Sequence, residues 1–153
     1  MIQDYSHIPG NYGGETLREY CGLSRNRERF YKGIRIKSTR GRGGVVEAIR
    51  VSNIVMSNIK QEAVVFNLKY SKMQKEEKTE RTPTFRNIHI SDMICRGVKT
   101  PIKIVGLEEA PISNISLKNI NITEAKDKCI FEDCNNILMD KVIVNGEEVK
   151  LDL

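Results

Sequence analysis

The chain has 153 residues, enough for one domain with a sizeable core. Charged residues make up 29%, the formal net charge is +5 and tryptophan is absent; no apolar run reaches membrane-spanning length, so no membrane partner is expected. The excess of positive charge suits an acidic partner, whether nucleic acid, an anionic polysaccharide or a phosphorylated ligand.

Residues 1–32 lack the texture of the remaining chain. Met1-Ile2-Gln3-Asp4 opens without a basic-then-apolar leader, so as encoded the chain carries no secretion signal and reads as cytoplasmic. Pro9-Gly10-Asn11 and Gly13-Gly14 are turn signals, and Arg18, Arg25, Arg27 and Arg29 cluster without an apolar period. This stretch reads as a divergent segment, loop or partial cap, with a short helix expected near Glu15 to Tyr20.

Gly33-Ile34-Arg35-Ile36-Lys37-Ser38 reads as a strand with two unlike faces. Side chains alternate along a strand, so Ile34 and Ile36 point one way and Arg35 and Lys37 the other. A guanidinium beside an ammonium is a receptor for carboxylate or phosphate; a basic edge that only discourages aggregation would look the same. Gly41-Arg42-Gly43-Gly44 comes next as a turn.

Beyond it an internal repeat governs the chain. Segments 48–56, 87–95, 114–122 and 136–144 each hold two alternating apolar residues, a polar pair, and two more alternating apolar residues. The polar pair usually ends in Asn or Asp, which tolerate a left-handed backbone at a corner. A third short strand succeeds each of the first three units, at Val64 and Phe66, Ile102 and Ile104, and Cys129 and Phe131. Ile49, Ile88, Ile115 and Ile137 lie 39, 27 and 22 residues apart, and the excess in the longest turn falls between Tyr70 and Pro83.

This pattern predicts an all-β chain, a right-handed single-stranded parallel β-helix over residues 33–153. Ile49, Ile88, Ile115 and Ile137 should form one core row, and Ile54, Met93, Ile120 and Val142 the next. Asn53, Asp92 and Asn119 should stack and exchange hydrogen bonds. Val149, Leu151 and Leu153 should close the C-terminal end. A β-sandwich would call for more hairpin turns than the single Asn145-Gly146. Cys21, Cys95, Cys129 and Cys134 show no zinc-type spacing and read as reduced structural thiols; neither metal nor cofactor is expected.

Taken together, the Arg35-Ile36-Lys37 strand, the Gly41–Gly44 turn and the Asn-Ile coils resemble the C-terminal part of glycoside hydrolase family 28. These are the polygalacturonases, inverting glycosidases that cut the α-1,4 bonds of pectin's galacturonate backbone. The resemblance runs from about Gly33 to Gly146. It implies that Arg35 and Lys37 grip the carboxylate of the sugar beside the cleaved bond, and that Tyr70 contacts substrate. An acidic polysaccharide or oligogalacturonide is then the expected partner. Nucleic acid is not, since the outer face lacks interleaved aromatics for base stacking.

The family takes its acid and base from Asn-Thr-Asp and Asp-Asp motifs, helped by a Gly-His-Gly histidine, all ahead of Arg-Ile-Lys. None of these motifs occurs here. Upstream of Arg35 the only Asp is Asp4 and the only His is His7, neither with the family's neighbours, and His89 reads as a surface residue. The resemblance therefore implies an N-terminally truncated β-helix without catalytic residues, from a truncated or frame-disrupted gene or from a chain that pairs with a polypeptide carrying the missing coils. Self-association is a further expectation, and a non-catalytic module for acidic polysaccharide is the alternative.

Overall fold

The computed structural model describes residues 16–17, 31–69 and 81–151. Its elements are β1 (Thr16–Leu17), β2 (Ile34–Lys37), β3 (Val45–Val46), β4 (Ile49–Asn67), β5 (Thr84–Val105), β6 (Ile112–Ala125), β7 (Ile130–Glu132), β8 (Cys134–Val144) and β9 (Glu147–Glu148). No helix occurs among the described residues. All strand pairings are parallel except β8 with β9. The long elements run through the corners of successive coils, and each pairs in parallel with its counterpart on the neighbouring coil. The result is a right-handed parallel β-helix, the hand that twisted strands impose on parallel crossovers.

The register obeys the repeat. Ile49 pairs with Ile88, Ile88 with Ile115, and Ile115 with Ile137. Ile54, Met93, Ile120 and Val142 form the second row in the same way. The third strands stack as well: Ile34 and Ile36 lie against Val64 and Phe66, and these against Ile102 and Ile104. Stacking apolar side chains row upon row builds one continuous core. Ile88, Ile102 and Ile104 are wholly buried, and each such side chain contributes about 1.5–3 kcal/mol over exposure.

The ladder runs through the corners because each corner is a single left-handed residue. Asn53, Asp92, Asn119 and Lys141 have φ of 57°, 53°, 51° and 55°. Ala48, Asn87, Asn114 and Asn136 form a second such column five residues earlier. A third column, five residues later, has no counterpart in the sequence reading: Asn58, Gly97, Glu124 and Gly146. Hydrogen bonding between corners is patchier than expected. Asn119 Nδ2 donates to Asp92 Oδ1 at 2.7 Å, whereas Asn53 turns to its own neighbour, Ser52 Oγ, at 3.5 Å. Asn136 Nδ2 donates to Asn114 Oδ1 in the earlier column.

Asn145-Gly146 makes the hairpin between β8 and β9, and a single antiparallel bridge joins Leu107 to Ala110 across another two-residue turn. Asn145 and Gly146 have positive φ, 52° and 85°, as a two-residue turn between right-twisted strands requires. Asn145 clamps it to the preceding coil, its Oδ1 accepting from Ala125 N and its Nδ2 donating to Ala125 O, each at 2.9 Å. Val149 and Leu151 pack against the core beyond the turn; Leu153 lies outside the described residues.

At the opposite end the expectation of a helix near Glu15 to Tyr20 is corrected. Thr16 and Leu17 form a strand that pairs in parallel with Arg50 and Val51, in a coil position. Local propensity yields there to the open edge of β4, whose backbone groups need partners. The rest of that helix, the arginine cluster, Cys21 and most of the stretch between Tyr70 and Pro83 lie outside the described residues.

Candidate functional site

Arg35 and Lys37 stand on the outer face of β2. Ile34 and Ile36 are each 4% exposed and belong to the core, so alternation turns the two cations outward, where both are half-buried. Gly33 starts this strand because nothing larger fits: a Cβ would lie 2.2 Å from the Ala63 carbonyl oxygen and 2.6 Å from the Met56 sulfur. Its N–H donates to Glu62 O at 2.9 Å. Lys32, just before it, pairs with Glu62 at 2.6 Å.

The ladder continues this face across three more coils. Arg35 is in register with Val65, then Lys103, then Ile130; Lys37 is in register with Asn67, then Val105, then Glu132. Asn67 caps its own turn by accepting from Lys69 N at 2.8 Å. Lys69 Nζ lies 2.6 Å from Asp133 Oδ2 and 3.7 Å from Glu132 Oε2. The bond to Asp133 raises the Lys69 pKa above its ordinary value, with the nearby negative charges adding to the shift. Beside the Gly41–Gly44 turn, Arg40 forks onto Glu109 through Nε–Oε1 at 2.5 Å and Nη2–Oε2 at 2.9 Å. The face thus carries Arg35, Lys37 and Lys103, and at its far end Lys69 meets Glu132 and Asp133.

Of the residues singled out from sequence, Arg35 and Lys37 share this face. Tyr70, Asp4 and His7 lie outside the described residues; Lys69, beside Tyr70, is at the edge of the face. His89 stands on another sheet of the coil, in register with Arg50 and Ser116 and half-buried. Desolvation, with the Arg50 charge beside it, lowers its pKa. No group of three His, Cys, Asp or Glu able to hold a metal occurs among the described residues. Cys95, Cys129 and Cys134 are free thiols, the first buried. Lys103 is absent from the sequence-derived set, although Ile102-Lys103-Ile104 carries the same alternation as Ile34-Arg35-Ile36.

The described residues thus form a parallel β-helix that carries Arg35 and Lys37 outward on β2. Comparison with known proteins gives the family: the glycosyl hydrolases family 28 model matches residues 28–147, and the chain belongs to that family. Among solved structures it is similar to a hyperthermoactive exopolygalacturonase from Thermotoga maritima, with 28% identity and a TM-score of 0.69. That similarity covers 76% of this chain and 25% of the other, so the chain spans a quarter of that enzyme's length. A comparison with curated proteins gave no significant match. The matched segment takes in Arg35, Lys37 and Tyr70.

Proposed function

We propose that Arg35 and Lys37 grip the carboxylate of a galacturonate unit in pectin-type polygalacturonate, and that this chain alone binds the polymer without hydrolysing it. The observation that carries the reading is the outward pair of cations, two residues apart on β2 and backed by buried isoleucines, inside the family-matched segment. Arg35 offers a planar fork and Lys37 a compact point charge. A strand fixed by core packing holds both ready, which lowers the ordering cost of binding. Tyr70 takes the family's substrate-contacting role, its ring stacking on a sugar face. Similarity to an exopolygalacturonase supports a polyuronide as the ligand.

The family's Asn-Thr-Asp, Asp-Asp and Gly-His-Gly motifs do not occur in this sequence. Inversion needs two carboxyl groups about 6.5–9.5 Å apart around a water. Without them the general acid–base contribution, on the order of 10²–10⁴-fold, is missing.

The test combines polygalacturonate binding with a reducing-end assay. Salt-sensitive binding that is lost in Arg35→Gln and Lys37→Gln, with no reducing ends above buffer, is the expected result. Turnover abolished by changing a single Asp or Glu of this chain would overturn it.

Further coils, from a second copy or another polypeptide, would stack on the β2 end. Parallel pairing is how this solenoid grows, and β4 already accepts β1 on that side. Light scattering after size exclusion tests this, and a stable monomer with a cooperative melt would refute it.

A further inference from the structure

Two coils beyond β2, Ile102-Lys103-Ile104 reproduces the alternation of Ile34-Arg35-Ile36, and the ladder sets the two on one face. Arg35 is in register with Val65, and Val65 with Lys103. Ile102 and Ile104 are wholly buried, so Lys103 points outward as Arg35 does. Two inter-strand steps separate their backbones, roughly 10 Å. Val65 between them is apolar, so it adds no competing charge to the column, and it is covered at 3% exposure. Lys103 is half-buried and makes no ion pair among the described residues, in contrast to Lys69 with Asp133 and Lys118 with Asp140. On the next coil Lys103 is in register with the apolar Ile130, and Glu132, opposite Val105, lies 3.7 Å from Lys69.

We infer that Lys103 is a second carboxylate-binding position for the same polyuronide. The inference rests on the proposed carboxylate grip of Arg35 and Lys37. A single galacturonate meets only the β2 cations, whereas an oligomer also reaches Lys103. The face therefore selects for length.

The test titrates the full chain with galacturonic acid and with trigalacturonate at low salt. The wild-type protein should bind the trimer more tightly than the monomer. Lys103→Gln should weaken trimer binding roughly fivefold, the scale of one partly exposed ion pair, and leave monomer binding unchanged; Lys103→Arg should retain the preference. In the unaltered protein, the NMR shift of the Lys103 methylene next to the ammonium should move with trimer and not with monomer, a readout that needs no variant to fold. An unmoved shift, or equal trimer affinity in wild type and a folded Lys103→Gln, overturns the inference and leaves the β2 reading intact. Trimer binding indifferent to Arg35→Gln but weakened by Lys103→Gln upholds Lys103 and overturns the role of Arg35. No binding of either sugar overturns both.

Discussion

Asn119 donates from Nδ2 to Asp92 Oδ1 at 2.7 Å, joining two successive coils at residues whose φ angles are 51° and 53°. The corner column thus does two jobs. It turns the chain where an L-residue is strained, and it ties one coil to the next. Asn119→Val should destabilise the protein by roughly 1–2 kcal/mol, the left-handed penalty for an ordinary residue, whereas Asn119→Gly should cost less than Val. Thermal melts of both variants check the order, and equal melting of the two would refute it.

The same pair gives a pH dependence. The hydrogen bond from Asn119 is the main cause of the lowered Asp92 pKa, helped by Ser91 and the Lys118 charge. A lowered folded pKa stabilises above the unfolded value and loses that stabilisation as pH falls through the folded one. Stability should therefore fall less in Asp92→Asn than in the wild-type protein as pH drops below the ordinary 3.8, measured by denaturant melts above and below that value.

His89 works with the same sign in a higher window. Desolvation, then the Arg50 charge, lowers its pKa from the ordinary 6.5. Its contribution is complete above that value and is lost as pH falls through the lowered folded one. Arg50→Gln removes only the second cause, so the His89 titration followed by NMR should move part of the way back toward 6.5. No movement would mean that Arg50 does not act on it.

Two glycines should resist substitution. A Cβ at Gly33 would sit 2.2 Å from Ala63 O, and one at Gly106 would sit 2.0 Å from Asp133 O. In both cases the obstacle is backbone, which cannot swing aside. Gly33→Ala and Gly106→Ala should each cost at least the roughly 1–3 kcal/mol typical of overpacking. Gly41→Ala, with nothing within 4 Å of its Cβ but φ at 80°, should show only the smaller left-handed penalty. Denaturant midpoints rank the three.

Cys95 should be inert in the folded protein. Burial pushes its thiol up to about 11, so almost no thiolate is present near neutral pH. Alkylation followed by peptide mass spectrometry should label Cys129 and Cys134, which are half-buried, well before Cys95. Cys95 should react only as the chain unfolds.

The sequence by itself determined the coil rows and the nature of the outward pair. Period-two alternation and the Asn or Asp corners are local properties, so Ile49 to Ile137, Ile54 to Val142 and the placement of Arg35 and Lys37 emerge from counting along the chain. The third corner column, Asn58, Gly97, Glu124 and Gly146, was hidden because it mixes three residue types; Asn and Gly take the left-handed backbone readily, whereas at Glu124 the stacking of neighbouring coils imposes it. Tertiary structure alone decided that Thr16 and Leu17 pair as a strand, since an unpaired edge outweighs weak helix propensity in so short a segment. It also decided that Arg40 meets Glu109 and that Lys69 meets Asp133, residues 69 and 64 positions apart. Such contacts depend on how many residues each coil spends between strands. That number changes from turn to turn, so only the assembled ladder brings Lys103 onto the face that Arg35 begins.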